Sequence, residues 1–383
     1  MSRSKLQKLD VRLVLVFVLS QVCVWTGCNA ILGNGYGAFD ETTGNGASPE
    51  GSAEGDALVG GEGGPGGDAM GSGDGNTADG NVDGGSCPRA MCPTTLTVAA
   101  GAQRIAVSAA AVYWTTAAGI GRVDQNGLVA KTLDLGGPIP ANLKRGVAVS
   151  STGVPYVTVI NRGAASCLID VSSCSNGFIG SAGLASSVAV DPLRVYVGIF
   201  DDQAGSMVGG IWQTDLSGAT PLPYTMMTDK VLDLRTVAAT TYFMTSAAVS
   251  FNMRTTAPVS AANLSGDAPV AFDVKDTTLV VATTNNHLRV CTMSPAASCA
   301  TNLLQLRQTA ISAVVVDGSS ILWAEGGANG SIYRSSLVAG SNPELLAEGQ
   351  ASPSDSAVSG SSIYWANHGD GAGAGGAIMK LPK

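Results

Sequence analysis

Two histidines and eight cysteines among 383 residues set what chemistry this chain offers. A Ser-His-Asp triad or a histidine-based metal site would have to draw on His287 or His368, and nothing in the flanking residues marks either one. His368 has the more suggestive neighbours: Trp365-Ala-Asn367-His368-Gly-Asp370 puts an amide, an imidazole and a carboxylate together. Glu325 follows Trp323 at the interval by which Asn367 follows Trp365. Glu325, Asn367, His368 and Asp370 are therefore the candidate ligand-binding residues. A solvated loop is the plainer reading of His368, and no catalytic residue, metal ligand or cofactor is assigned.

The cysteines partition by position. Cys23 and Cys28 lie in the first thirty residues, and the other six form local pairs: Cys87/Cys92, Cys167/Cys174 and Cys291/Cys299. Each pair sits in a turn between alternating apolar runs. An even count in an exported chain reads as disulfides. Zinc is the rival reading, but no Cys-x-x-Cys occurs.

Positioning these residues falls to a repeat. Gly318-Ser-Ser-Ile-Leu-Trp323-Ala returns as Gly360-Ser-Ser-Ile-Tyr-Trp365-Ala, with 42 residues between the tryptophans. Short apolar runs precede each copy, and a glycine turn with another alternating run follows, a pattern of successive antiparallel strands. A strong copy at Trp114, a clear one at Val197, a weaker one at Val157 and degenerate ones at Phe243 and Val281 place equivalent anchors in chain order at 114, 157, 197, 243 and 281, spaced 43, 40, 46, 38 and 42 residues to Trp323. A period near 40 residues with this content predicts a β-propeller of seven four-stranded blades. Composition agrees: 13% charged residues and 50 glycines leave little material for amphipathic helices and favour an all-β fold. The chain ends at an inner-strand pattern, so the segment Leu96–Ala100 is expected to pair with Ile378–Leu381 and close the ring. Gly371-Ala-Gly-Ala-Gly-Gly376 matches a dinucleotide fingerprint in letters only, because it runs into a strand rather than a helix.

The amino-terminal region is different. A basic stretch to Arg12 precedes the apolar run Leu13–Leu19, too short to favour a bilayer span. It ends in Val24-Trp25-Thr26-Gly27-Cys28, which resembles a bacterial lipobox. That resemblance implies a signal peptide over residues 1–28, Cys28 as the lipidated mature terminus, and anchoring in the cell envelope. Asn29 rather than Asp after the cysteine points to the outer membrane. Cleavage after Ala30, giving a secreted protein, and an uncleaved signal anchor are the alternatives. Residues 29–86 read as a disordered acidic Gly-rich linker: residues 31–86 hold ten carboxylates and no Lys or Arg. A flexible chain of that length reaches roughly 40 Å. The net charge of −8 comprises +3 in residues 1–30 and this tether, which leaves about −1 for residues 87–383. A nearly neutral domain gives no support for nucleic-acid binding.

Tyr113-Trp114-Thr-Thr116, Leu322-Trp323-Ala-Glu325 and Tyr364-Trp365-Ala-Asn367 stand where YWTD/NHL-type propeller families carry Tyr-Trp-Thr-Asp, and the domain at 87–383 resembles those families. The fourth-position Asp is absent from all three copies. The resemblance implies a propeller fold; on function it implies nothing specific. The expectation is a lipid-anchored envelope module for binding or scaffolding, with the membrane and an unidentified protein or glycan as partners. The alternative is a propeller lyase or lactonase-type enzyme with its site at the channel mouth.

Overall fold

The computed structural model describes residues 92–383 apart from 178–183, 202–208, 254–258, 370–374 and several shorter stretches. The expected signal peptide and linker, with Cys23, Cys28 and Cys87, lie outside the described residues, as does Asp370.

Seven antiparallel sheets are the blades of a propeller. Their first strands are Arg104–Val107, Val147–Val149, Leu184–Val190, Asp233–Val237, Pro269–Lys275, Ile311–Asp317 and Pro353–Ser359. Each of these contacts the first strand of the next blade, and the last contacts the first, so the inner strands form a closed ring. Every repeat anchor falls on a second strand, where it faces the inner strand: Trp114 opposite Ile105, Val157 opposite Val147, Val197 opposite Val188, and Phe243 opposite Leu234. Val281, Trp323 and Trp365 likewise face Phe272, Val314 and Ser356.

Second strands read as nearly unbroken apolar runs because neighbouring blades cover both of their faces. Ala111–Thr115 and Pro155–Val159 are buried at every position. The core is accordingly seven seams between blades. One packs Trp114 and Val123 against Tyr364 and Ile378, and another packs Leu322 and Ile332 against Trp365 and Leu381. Trp114, Trp323 and Trp365 are each at most 1% exposed. At roughly 25 cal/mol per Å², burial of an aromatic that size contributes on the order of 4 kcal/mol. Trp114 lies flat on Gly121, where a Cβ would come within 2.2 Å of the indole, so this contact admits only glycine.

The ring closes as the sequence indicates, with a shifted register. Thr94–Val98 is the outermost strand of the last blade, pairing Thr94 with Lys380 and Val98 with Ala377. The partner segment thus lies two residues earlier than Leu96–Ala100, because Ala99–Gln103 is needed to cross to the first inner strand. Five blades have four strands. In the second blade three strands are described, and the Cys167–Cys174 bridge stands where a fourth would begin. In the fifth, Ala296–Cys299 and Leu304–Gln305 share the outer position, both pairing with His287–Ser294.

Candidate functional site in the central channel

Both faces of the inner strands pack in seams, and residues of both faces border the ring's centre. Residues facing the anchors are apolar in six blades, whereas those on either side of them lie on the opposite face. In the first three blades the latter positions hold Ala106, Gly146, Ala148, Ser187 and Ala189. Three of the others hold charges: Asp233 and Arg235 in the fourth blade, Asp273 in the fifth, and Asp355 in the seventh, with Arg104 completing the set from the first and the neutral Val315 from the sixth. All of these residues line one cavity of about 280 Å³ bounded by all seven inner strands.

The charges are interlocked. Arg104 Nη1 donates to Asp233 Oδ2 at 3.0 Å, joining the first and fourth blades. Arg235 Nη1 donates to Asp233 Oδ1 at 2.8 Å, and its Nε lies 3.5 Å from Asp273 Oδ1. Asp355 Oδ2 accepts the backbone N–H of Ile105 at 3.0 Å, and Asp273 Oδ2 accepts that of Val316 at 2.8 Å. Each of these two carboxylates thereby satisfies the inner edge of the next blade, an edge no strand covers. Lys144, on the connection into the second blade, donates to Ser354 O at 2.9 Å beside Asp355.

Electrostatics separate the carboxylates. Burial works against ionised Asp233, but Arg104, Arg235 and the Leu234 N–H prevail and hold it below the usual carboxylate range. For Asp273 burial prevails, and the single Arg235 contact leaves it raised. Burial would lower Arg235, yet Asp233, Asp273 and Asp355 together push it up. Burial, reinforced by Arg104, lowers Lys144 to about 8. A cavity walled by small residues on one side and by mixed charge on the other is suited to a small polar ligand.

The residues singled out from sequence lie elsewhere. Glu325 and Asn367 are both buried and end the second strands of the sixth and seventh blades. Asn367 Nδ2 donates to Gln350 Oε1 at 3.1 Å, an acceptor shared with Trp365 Nε1, which ties the amide into the blade. His368 is half-buried, and its backbone bonds Ser352 O and Gly101 N. None of the three lines the channel cavity. The charged set was missed because its members are scattered through the chain. The available signal was charge interrupting the inner-strand pattern, as in Leu234-Arg235-Thr236 and Phe272-Asp273-Val274.

His287 proves to have a structured setting. Asp267 accepts contacts from His287 Nδ1 at 3.1 Å and from Arg289 Nη2 at 2.9 Å, with Asn285 alongside. These contacts, His287 first, lower Asp267 to about 2. Among the described residues no group of three or more His, Cys, Asp or Glu could hold a metal ion.

Cys167 and Cys174 form a disulfide with Cα atoms 3.9 Å apart. Cys92 and Cys291 are also disulfide-bonded, and Cys291 lies opposite Cys299 in the strand register.

No protein-family model matches the chain, and no curated protein matches it in sequence. Solved structures do match in fold. Selenomethionine-substituted virginiamycin B lyase from Staphylococcus aureus superposes with a TM-score of 0.59 at 15% identity, over 76% of this chain and 98% of the lyase. A catalytically inactive variant of that lyase, with quinupristin, gives the same values. The computationally designed protein Ika8 matches at a TM-score of 0.52 and 13% identity, over 74% of this chain and 96% of its own.

Proposed function

We propose that this chain is an exported, lipid-anchored propeller of the bacterial cell envelope that binds a small ligand in its central channel. The observation that carries the binding role is the channel cavity, where Arg104, Arg235 and Asp273 retain hydrogen-bonding capacity that no described residue uses. These side chains remain partly accessible, Arg235 at 31%, so a ligand that enters the channel can reach them. The anchor is supported by the run ending in Gly27-Cys28 and by the acidic, Gly-rich stretch behind it. Melting the full-length protein against a panel of small ammonium, carboxylate, phosphate and sugar compounds tests the binding role. At least one class should raise the melting temperature of the wild type but not of channel-charge variants. A panel without effect, or with effects that the variants retain, contradicts it.

A lyase is the second reading, favoured by Asp267 and His287. A carboxylate on Nδ1 orients the imidazole and leaves Nε2 for proton transfer. The structural likeness to virginiamycin B lyase supplies a probe. Turnover of quinupristin that disappears in His287→Ala would establish this reading; intact quinupristin after prolonged incubation would remove it.

A further inference from the structure

Three groups around the cavity have capacity to spare. Arg104 spends only Nη1, on Asp233, so its Nε and Nη2 have no hydrogen-bond partner among the described residues. Arg235 spends Nη1 on Asp233 and Leu234 O and turns Nε toward Asp273, leaving Nη2. Asp273 accepts backbone N–H groups, but its nearest cation stands 3.5 Å away. The site thus offers guanidinium donors and an undercompensated carboxylate within one small cavity. Two serines of the inner strands, Ser187 and Ser356, are 2% and 7% exposed, but their hydroxyls are enclosed by protein, that of Ser187 against Gly198 and Val231, and take no part in the site.

We propose that the channel binds a small zwitterion, such as a free α-amino acid, with its ammonium on Asp273 and its carboxylate on Arg104 and Arg235. This rests on the channel-binding reading above and names the ligand class. Asp233, Asp273 and Asp355 balance Arg104, Arg235 and Lys144. A ligand of net charge would unbalance the site, whereas a zwitterion brings one charge of each sign and leaves the sum unchanged. Guanidinium groups match a carboxylate in geometry as well as charge. The opposite wall, with Ala106, Ala148 and Ala189, is neutral and small, which suits a short aliphatic side chain.

Calorimetric titration of the full-length protein in detergent with L-alanine, n-propylammonium and propionate tests the assignment. L-alanine should bind at least tenfold more tightly than either single-charge probe. Asp273→Asn and Arg104→Gln should each weaken it at least tenfold, with folding of the variants checked by circular dichroism. Ala148→Val, which narrows the cavity and leaves every charge in place, should weaken it as well. The assignment is overturned if propylammonium or propionate equals L-alanine, if folded charge variants bind normally, or if folded wild type binds none of the three. Propionate bound through Arg104 would retire the zwitterion and keep the channel as a binding site. Failure of every compound class in the wider panel would remove both.

Discussion

Arg104 Nη1 and Asp233 Oδ2, 129 residues apart in sequence, meet at 3.0 Å across the ring and join the first blade to the fourth. Arg235 approaches the same carboxylate from its other oxygen at 2.8 Å. Two guanidinium groups therefore share Asp233, while Asp273 is left with a single, longer contact among the described residues.

Asp233→Asn should lower unfolding stability by about 3 kcal/mol, since removing one member of a buried ion network strands its partners. Chemical denaturation of wild type and variant measures this. A loss below about 1 kcal/mol would mean that the arginines find other partners.

The pH dependence should separate the two carboxylates. Asp233 is held below its ordinary value, so its contribution is present above about pH 4 and is lost as pH falls through its depressed pKa. Asp273 is raised, so the folded state binds its proton more tightly and stability declines as pH climbs from about 4 through the raised value. Asp273→Asn should therefore gain on the wild type across that interval and run parallel above it. A stability difference independent of pH would contradict the raised state of Asp273.

The closure of the ring was legible in the sequence, as were the blade count and the Cys167–Cys174 pair, because each is a periodic or local signal. Anchors such as Trp323 and Trp365 recur at a fixed interval, and each buries itself against an inner strand of its own blade. The site was not legible for the converse reason. Arg104, Asp233, Asp273 and Asp355 share a neighbourhood only after the chain has gone round the ring. Asn367 lies outside the channel, with its Nδ2 donating to Gln350 Oε1.

Gly376→Ala should weaken the seam where the ring closes. An added Cβ would come within 2.6 Å of Ala100 Cα and 2.7 Å of Ala99 O, while Gly376 O accepts the Ala99 N–H at 2.9 Å. Overpacking of this kind costs about 1–3 kcal/mol. Because the seam involves the outermost strand of the last blade, faster hydrogen exchange at Thr94–Val98 than in the wild type is the accompanying sign. Unchanged exchange there would show that the seam tolerates the methyl group.

Non-reducing peptide mapping should return Cys167–Cys174, together with Cys291–Cys299 and Cys87–Cys92 as proposed pairs. Mutating Cys167 and Cys174 to serine should lower stability by about 2 kcal/mol, the loop-entropy value for so short a closure. Cys28→Ala should abolish detergent partitioning if that cysteine carries the lipid. A bridge between distant blades, or unaltered partitioning, would contradict the respective assignment.

The channel is expected to hold a zwitterionic amino acid and not only an ion network. A crystal structure of the protein soaked in L-alanine tests it most directly. Density is expected for one molecule among Arg104, Arg235 and Asp273, with the ammonium about 3 Å from a carboxylate oxygen of Asp273. A cavity containing only solvent at saturating L-alanine, with the Arg104–Asp233 contact unmoved, would contradict it.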